Sequence, residues 1–261
     1  RILLNDKRID LYTVKKNAKI YKDDLYFSKV FVDKNLFNPN DYDLVILDSY
    51  SSRSLKIKYN IAPKTRFVGM FGFFNGPEVN RVMFSFHRMN QLLGYKKSMK
   101  EISMLAKTSM SISIEDKKII NSLELSKNYI AIVVGGEWLY RTYNNWNKVI
   151  ERLLINDATL NIVLLGSQNG LISSGKLTKE FSNFNVEEYV GKFTFNQTTE
   201  IIKRASILLC CDGGLMHAAN AVNTPVIPLL ARLDESMQLT ESIKHYALFD
   251  KLDVNNIDFE K

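Results

Sequence analysis

The stretch TFNQTTEIIKRASILLCCDGGLMHAANAVNTPVIPLL, residues 194–230, decides the fold. Thr194 and Gln197 have the spacing of a helix capping box, which predicts a helix from there to about residue 205. Residues 207–211 form an unbroken apolar run. Such a short run is typical of a parallel strand that is buried on both faces by neighbouring helices.

A glycine turn follows that strand, and a helix of small residues is predicted over 215–222. Asn223, Thr224 and Pro225 end this helix, because the residue before a proline is pushed out of helical conformation. Residues 226–230 form the next predicted strand. The order helix, strand, turn, helix, strand predicts an open α/β sheet.

The turn places a candidate anion site at the carboxyl end of a strand, where open α/β sheets bind ligands. The first backbone N–H groups of the predicted helix have no partner within it, so we expect a diphosphate on the amides of Gly213, Gly214, Leu215 and Met216. Asp212 would repel a phosphate, and its carboxylate is better suited to accepting hydrogen bonds from sugar hydroxyls. The alternative is a simple glycine connection in which Asp212 caps the helix.

The segment DGGLMHAANA at 212–221, followed by Thr224-Pro225 and an apolar strand, resembles the signature of the family 9 glycosyltransferases, the ADP-heptose:lipopolysaccharide heptosyltransferase family. The resemblance implies a GT-B fold, which is an α/β architecture of two Rossmann-like domains facing across a cleft. The first domain is expected to be incomplete. A nucleotide-diphosphate sugar, ADP-linked, would be held mainly by the C-terminal domain.

The resemblance also implies inverting transfer of a sugar, with heptose as the family's best-known cargo, to lipopolysaccharide or another glycan acceptor. Asp212 and His217 would orient sugar or phosphate, and a general base would remove the proton of the acceptor hydroxyl. No cofactor or metal is implied beside the donor, and the location would be cytoplasmic, with peripheral contact at the inner membrane surface. Two other hypotheses stay open: a non-catalytic nucleotide-sugar-binding protein, and another nucleotide-dependent α/β enzyme such as an epimerase.

Length and composition bound the organisation of the chain. At about 100–200 residues per domain, 261 residues favour two domains. We predict an acceptor-side Rossmann-like domain over 1–105, a connection over 106–128 and the nucleotide-sugar domain over 129–261. The 46% of apolar residues form no run near the length of about 20 needed to cross a bilayer, which favours a soluble globular protein.

The net charge of +7 favours anionic partners, but the basic residues form no dense stripe, so nucleic acid is not expected. The two cysteines, Cys210 and Cys211, are neighbours in a predicted buried strand and point to opposite faces. They would pair badly, which predicts reduced core residues in a reducing compartment. His87, His217 and His245 are too scattered to suggest a zinc site.

The first half of the chain lacks one expected feature. Family members begin with a strand and a Gly-Asp loop that supplies the general base, and nothing before Arg8 has that pattern. Asp6 and Asp10 do not match it, so no catalytic base is assigned. The hydroxyl-rich segment 49–54 is interpreted either as a helix cap or as a ligand contact. The aromatic residues Phe71, Phe73 and Phe74 are interpreted as packing or acceptor binding, and Asp41-Tyr42-Asp43 as a chance DxD before a strand.

Further donor contacts are predicted at the ends of other strands in the second half. Gly135 ends the strand at 129–134, and Gly166 ends the next one, with no acidic residue following it to bind ribose. The family often has a lysine where this chain has Asn144. Instead, Arg141 could supply the phosphate-binding charge and Thr142 a hydroxyl, the alternative being a solvated loop.

Lys192 and Phe193 fall where the family places its base-contacting turn. Phe193 could pack on a purine face while backbone groups near Lys192 read the ring edge. The alternative is that Phe193 is a hydrophobic staple for the following helix. A last helix is predicted over residues 237–249.

Overall fold

The computed structural model describes residues 7–71, 80–241, 243 and 246–260. The chain divides into two compact units, residues 1–107 and 108–261. Phe73, Phe74 and His245, which carry two of the interpretations above, lie outside the described residues, as does the side chain of Phe71.

The described part of the first unit contains two parallel strand pairs, and in each pair a helix connects the two strands. The first two strands pair with each other, as do the third and fourth. The elements are β1 (Asp10–Tyr12), α1 (Lys15–Tyr21), β2 (Lys29–Phe31), β3 (Val45–Ser49), α2 (Ser52–Ile61), β4 (Phe67–Phe71), α3 (Arg81–Leu92) and α4 (Met99–Leu105).

The hydroxyl-rich segment after β3 caps the next helix. Ser51 Oγ accepts a hydrogen bond from Ser54 N at 3.1 Å. The Ser54 hydroxyl donates to Asp48 Oδ1 at 3.0 Å. These contacts tie the hydroxyls to the start of α2, which supports the cap interpretation over the ligand interpretation.

The second unit alternates helices and strands along its length. Its elements are α5 (Ile114–Asn121), β5 (Tyr129–Val133), α6 (Trp146–Asn156), β6 (Asn161–Leu165), α7 (Leu171–Glu180), β7 (Val186–Glu188), α8 (Phe195–Arg204), β8 (Ile207–Cys211), α9 (Gly214–Ala221), β9 (Val226–Ala231), α10 (Glu235–Gln238) and β10 (Leu248–Asp250). The helices and strands predicted from the opening stretch are confirmed. The capping box of Thr194 and Gln197 is formed in both directions at the start of α8.

A six-stranded parallel sheet forms the centre of this unit, in the order β10-β9-β8-β5-β6-β7. From β5 the chain moves outward through β6 and β7, then returns to the other side of β5 and moves outward again through β8, β9 and β10. The direction of winding therefore reverses between β5 and β8. Ligands bind at such a switch point, outside the carboxyl ends of the strands.

Helices cover both faces of the sheet, so that its central strands are buried. Ala131, Leu208 and Cys210 pack into the core on one face, while Ile132 and Cys211 pack into the core on the other. Successive residues of a strand thus serve opposite cores, as the pleat requires. Both cysteines are buried and unpaired, which confirms that they are core residues without a disulfide.

The segment 237–249 differs from the prediction. The helix predicted over 237–249 is wrong: α10 ends at Gln238, and β10 pairs with β9 instead. Extended structure is favoured there because β9 would otherwise present an unpaired edge.

Within the segment 106–128, α5 packs on α8, where Gln197 Nε2 donates to Asp116 Oδ1 at 3.0 Å.

Candidate functional site

The first turn of α9 presents backbone donors that no side chain caps. Gly213 is the N-cap residue and makes no side-chain cap hydrogen bond. The His217 amide contacts Gly213 O at 3.5 Å, as the first backbone hydrogen bond of the helix. By helix geometry, the amides of Gly214, Leu215 and Met216 precede this bond and lack intrahelical acceptors. The turn follows β8 at the switch point, so these donors lie where the sheet topology predicts a ligand.

Nothing within the described protein requires a glycine at position 213. Its φ of 175° is extended backbone that any residue adopts. A Cβ added there would meet no protein atom closer than Cys211 O, at 4.0 Å. The space beside this residue is therefore open, and a close approach by a ligand is a physical reason to keep it so.

The glycines in the loops after β5 and β6 differ from Gly213, because the protein itself occupies the space beside them. Gly135 has a φ of +84°, and a Cβ there would lie 2.7 Å from Gly170 Cα. At Gly136 a Cβ would collide with Thr142 Oγ1. Gly166 has a φ of +151°, and its Cβ would lie 2.5 Å from Val134 O. Gly135 and Gly166 thus allow the loops after β5 and β6 to pack together, which gives them a structural role.

Asp212 is joined to Arg141 across the switch point. Arg141 Nη1 lies 2.8 Å from Asp212 Oδ2, with the carboxylate side chain 6% exposed and the guanidinium side chain 26% exposed. Asp212 therefore does not cap α9, which removes the alternative interpretation of this residue. Arg141, predicted as a phosphate contact, is held by a carboxylate, and its Nε is buried without a hydrogen-bond partner among the described residues.

A side chain that the sequence did not indicate links the loops after β5 and β6. Asn169 Nδ2 donates to Gly136 O at 2.8 Å, and its Oδ1 accepts from Ser167 Oγ at 2.7 Å. Thr142 lies on the same loop as Gly136, and its hydroxyl donates to Trp138 O at 2.9 Å. The polar groups at this end of β5 and β6 thus hold the loops in a fixed arrangement.

Three other residues of α9 were predicted to belong to the site, and their side chains differ in burial. The Met216 side chain is fully buried in the core, so only its amide faces the turn. Leu215 is partly buried against the same core. His217 is half-buried on the first turns of the helix, near Asp212 in the sequence. Among the residues of α9, His217 is the one with an ionisable side chain.

Lys192 and Phe193 lie between β7 and α8, at the edge of the sheet beyond β6. The Lys192 ammonium is 2.7 Å from Glu188 Oε2 and also donates to Glu188 O at 2.5 Å. Phe193 packs against the core, with its ring centroid 5.7 Å from that of Tyr189. The Phe193 ring thus contacts its own protein. A hydrophobic staple would pair this ring with the fourth residue of α8, which is the polar Thr198, so the contact with Tyr189 does not establish that alternative.

Arg232 and Tyr140, at the same end of the sheet, were also missed by the sequence interpretation. Arg232 directly follows β9, and its Cζ lies 3.7 Å from the centroid of the Tyr140 ring. Arg141 Cζ lies 5.2 Å from that centroid. A basic residue at the carboxyl end of a parallel strand was the signal that could have identified Arg232.

Two negative findings apply to the described ranges only. Across residues 7–71, 80–241, 243 and 246–260, no three His, Cys, Asp or Glu side chains are grouped to hold a metal ion. No helix within these ranges has the length and hydropathy of a membrane span.

Comparison with known proteins gives a family match and a common fold. The sequence model of glycosyltransferase family 9 (heptosyltransferase) matches residues 74–247. No curated protein matches the chain. Among solved structures, E. coli ADP-heptose lps heptosyltransferase II is similar over 100% of this chain and 89% of its own, with a TM-score of 0.73 and 15% identity.

Two further solved structures agree. The family 9 glycosyl transferase from Veillonella parvula is similar over 93% of this chain and 76% of its own, with a TM-score of 0.73 and 13% identity. E. coli heptosyltransferase WaaC, solved with ADP, is similar over 98% of this chain and 86% of its own, with a TM-score of 0.68 and 13% identity. Likeness at these identities establishes the fold, which is GT-B.

Proposed function

The chain belongs to glycosyltransferase family 9, and from this premise we propose that it transfers a sugar from a nucleoside-diphosphate donor to a glycan or glycolipid acceptor. The observation that carries the proposal is the uncapped first turn of α9 beside Gly213, where a Cβ built on the glycine meets no atom of the described residues closer than 4.0 Å. A diphosphate fits this turn because its oxygens accept several amide hydrogen bonds at once and its charge is favoured at a helix N-terminus.

The donor that we propose is ADP-linked, with heptose as the sugar. The support is the family description and the similarity to WaaC, which was solved with ADP. The acceptor that we propose is lipopolysaccharide or a related glycan, modified in the cytoplasm at the inner membrane surface. The amides of Gly214, Leu215 and Met216 would hold the diphosphate, and Asp212 and His217 would orient the sugar.

The proposed reaction is a displacement at the anomeric carbon with inversion. The acceptor hydroxyl oxygen forms the new bond to this carbon while the bond to the diphosphate oxygen breaks, and that oxygen keeps the electron pair. The hydroxyl proton goes to a general base, to which no residue of this chain is assigned. The amide donors stabilise the departing diphosphate because they are already oriented toward the charge that develops.

A ligand panel tests the donor part of the proposal. The thermal unfolding temperature is measured with ADP, UDP, GDP and CDP, and with the matching monophosphates as controls. A ligand that binds only the folded state adds RT ln(1 + [L]/Kd), about 2.7 kcal/mol at a concentration of 100 Kd. We expect the largest shift from ADP. If none of the four diphosphates raises the unfolding temperature, the proposed function is wrong.

A transfer assay tests the chemistry. Incubation with ADP-heptose and a lipopolysaccharide acceptor should release ADP and extend the acceptor, and the configuration of the new linkage, read by NMR, should be inverted. Donor binding without any transfer would instead identify a nucleotide-sugar-binding protein. Retention of configuration would contradict the proposed displacement.

A further inference from the structure

Arg232 adopts a backbone conformation that is uncommon for its type. It follows the last residue of β9, and its φ of +70° lies in the left-handed region that favours glycine. Its amide donates to Asp250 O at 3.3 Å, which fixes the turn. Non-glycine residues held in this region occur often at functional sites, because the surrounding structure must maintain them.

The Arg232 guanidinium is held on two sides. Its Cζ lies 3.7 Å from the Tyr140 ring centroid, within the range of a cation–π contact. Its Nε donates to Leu252 O at 3.3 Å. Its two terminal nitrogens make no hydrogen bond or ion pair with any residue that the structure describes. The planar fork that binds phosphate oxygens is therefore oriented and available.

Arg232 differs in its charge balance from Arg141 and Lys192, the two basic residues predicted at this end of the sheet. Arg141 contacts Asp212 at 2.8 Å, and Lys192 contacts Glu188 at 2.7 Å. Each of those charges is balanced by a carboxylate, which weakens its attraction for a second anion. Among the described residues, Arg232 has no such carboxylate.

Contacts also connect Arg232 to the first turn of α9. Arg232 and Arg141 share the Tyr140 ring, at 3.7 Å and 5.2 Å from its centroid. Arg141 in turn binds Asp212, the residue immediately before Gly213. The strand order is consistent with these contacts, because β9 is the parallel, hydrogen-bonded neighbour of β8 and the carboxyl ends of both strands lie at the same edge of the sheet.

We infer that Arg232 binds the diphosphate of the donor and stabilises its charge as the sugar departs. The inference rests on the proposed function and names a contact within it. When the bond between the anomeric carbon and the diphosphate oxygen breaks, the electron pair stays on that oxygen, and the guanidinium donates hydrogen bonds to the phosphate that gains the charge. Arg141 is a positioning residue, which holds Asp212 toward the sugar.

The test compares diphosphate with monophosphate binding in matched variants. Calorimetry measures the Kd of whichever of ADP, UDP, GDP and CDP binds the wild-type chain most tightly, and of the matching monophosphate. The variants are Arg232→Gln and Arg232→Lys, which keep a residue of similar backbone preference. The control is Arg152→Gln, which removes the same charge from an exposed position on α6.

We expect Arg232→Gln to weaken diphosphate binding by roughly 10- to 100-fold and monophosphate binding far less. Arg232→Lys should recover part of the loss, because an ammonium keeps the charge but not the planar fork. Arg152→Gln should bind both ligands as wild type does. The unfolding temperatures without ligand should match, which separates a ligand contact from a structural role.

Two results would overturn the inference while leaving the proposed function intact. One is diphosphate binding by Arg232→Gln within about twofold of wild type. The other is an equal loss of diphosphate and monophosphate binding, which indicates a general change of the site. If the wild-type chain binds none of the four diphosphates, the proposed function itself fails, and the role of Arg232 fails with it.

Discussion

Arg141 and Asp212 are 71 positions apart in the sequence, yet Arg141 Nη1 lies 2.8 Å from Asp212 Oδ2. The contact joins the loop after β5 to the turn after β8, so it spans the point where the winding of the sheet reverses. The sequence analysis predicts a separate ligand for each residue, phosphate for Arg141 and sugar hydroxyls for Asp212. The ion pair means that a change in either residue also alters the charge of the other's surroundings.

Replacing Asp212 with Asn should separate donor binding from transfer. We expect transfer to fall by about 100-fold or more, because in the proposed function this carboxylate accepts hydrogen bonds from the sugar and orients it. Diphosphate affinity should be unchanged or higher, because Arg141 no longer has a carboxylate to balance its charge. The folded state should lose about 1 to 2 kcal/mol, since the pair is only partly buried. Calorimetry and a transfer assay measure the two effects.

The control for this variant is Glu151→Gln, which removes a carboxylate from an exposed position on α6. It should alter neither donor binding nor transfer. Wild-type turnover in Asp212→Asn would contradict the role of the carboxylate. A large loss of diphosphate affinity would instead place Asp212 in the binding of the phosphates.

Replacing Gly213 with Ala should weaken donor binding without weakening the fold. Its φ of 175° suits alanine, and the nearest atom of the described residues to the new Cβ is Cys211 O, at 4.0 Å. The free energy of unfolding should therefore change by no more than about 0.5 kcal/mol. Diphosphate affinity should fall by roughly tenfold or more, because the methyl group would occupy space at the first turn of α9.

Two glycines provide matched controls for Gly213. Gly175→Ala, in α7 with no atom within 4 Å of the new Cβ, should leave binding unchanged and stabilise the helix by about 1 kcal/mol. Gly135→Ala should destabilise the fold by about 2 to 4 kcal/mol, because of its φ of +84° and the contact with Gly170. Equal donor affinity in Gly213→Ala and wild type would show that the open space is not a ligand site.

Local sequence patterns predicted the helices and strands around β8 in the second unit. Contacts between residues far apart in the sequence could not be predicted from these patterns. The capping box at Thr194, the apolar run of β8 and the glycine turn are set by neighbours in the sequence, and the structure contains all three. In contrast, β10 is a strand because β9 lies beside it. The position of Arg232 on Tyr140 depends on the fold in the same way.

Replacing Asp10 with Asn should lower the stability of the first unit in a pH-dependent way. Burial raises the pKa of Asp10, but hydrogen bonds from Arg8 and Tyr42 and the Arg8 charge outweigh it, so the pKa is below its usual value. The pKa of an aspartate in the unfolded state is about 3.9. Because the pKa of Asp10 is lower in the folded state, its carboxylate stabilises the fold above about pH 3.9, and this stabilisation is lost as the pH falls toward the pKa of the folded state.

We therefore expect Asp10→Asn to cost about 1 to 2 kcal/mol at pH 7, because the Tyr42 hydroxyl, 2.6 Å from Asp10 Oδ2, loses a charged acceptor. The difference from wild type should narrow below about pH 4. Urea unfolding at several pH values measures both effects, and Tyr42→Phe serves as the control that removes only the donor. A cost that does not change with pH would contradict the assignment.

The two cysteines should be unreactive while the second unit is folded. Burial raises the pKa of Cys210 well above its usual value and that of Cys211 to about 12, and thiolates are the reactive form. We expect iodoacetamide at pH 8 to label the native chain at least about a thousandfold more slowly than the chain in urea, since labelling requires opening of the central strands. Mass spectrometry counts the added groups, and a denatured sample of the same chain is the control. Because Cys211 immediately precedes Asp212, rapid native labelling of Cys211 alone would show that β8 opens locally at its carboxyl end, and a rigid donor site could not then be built on it.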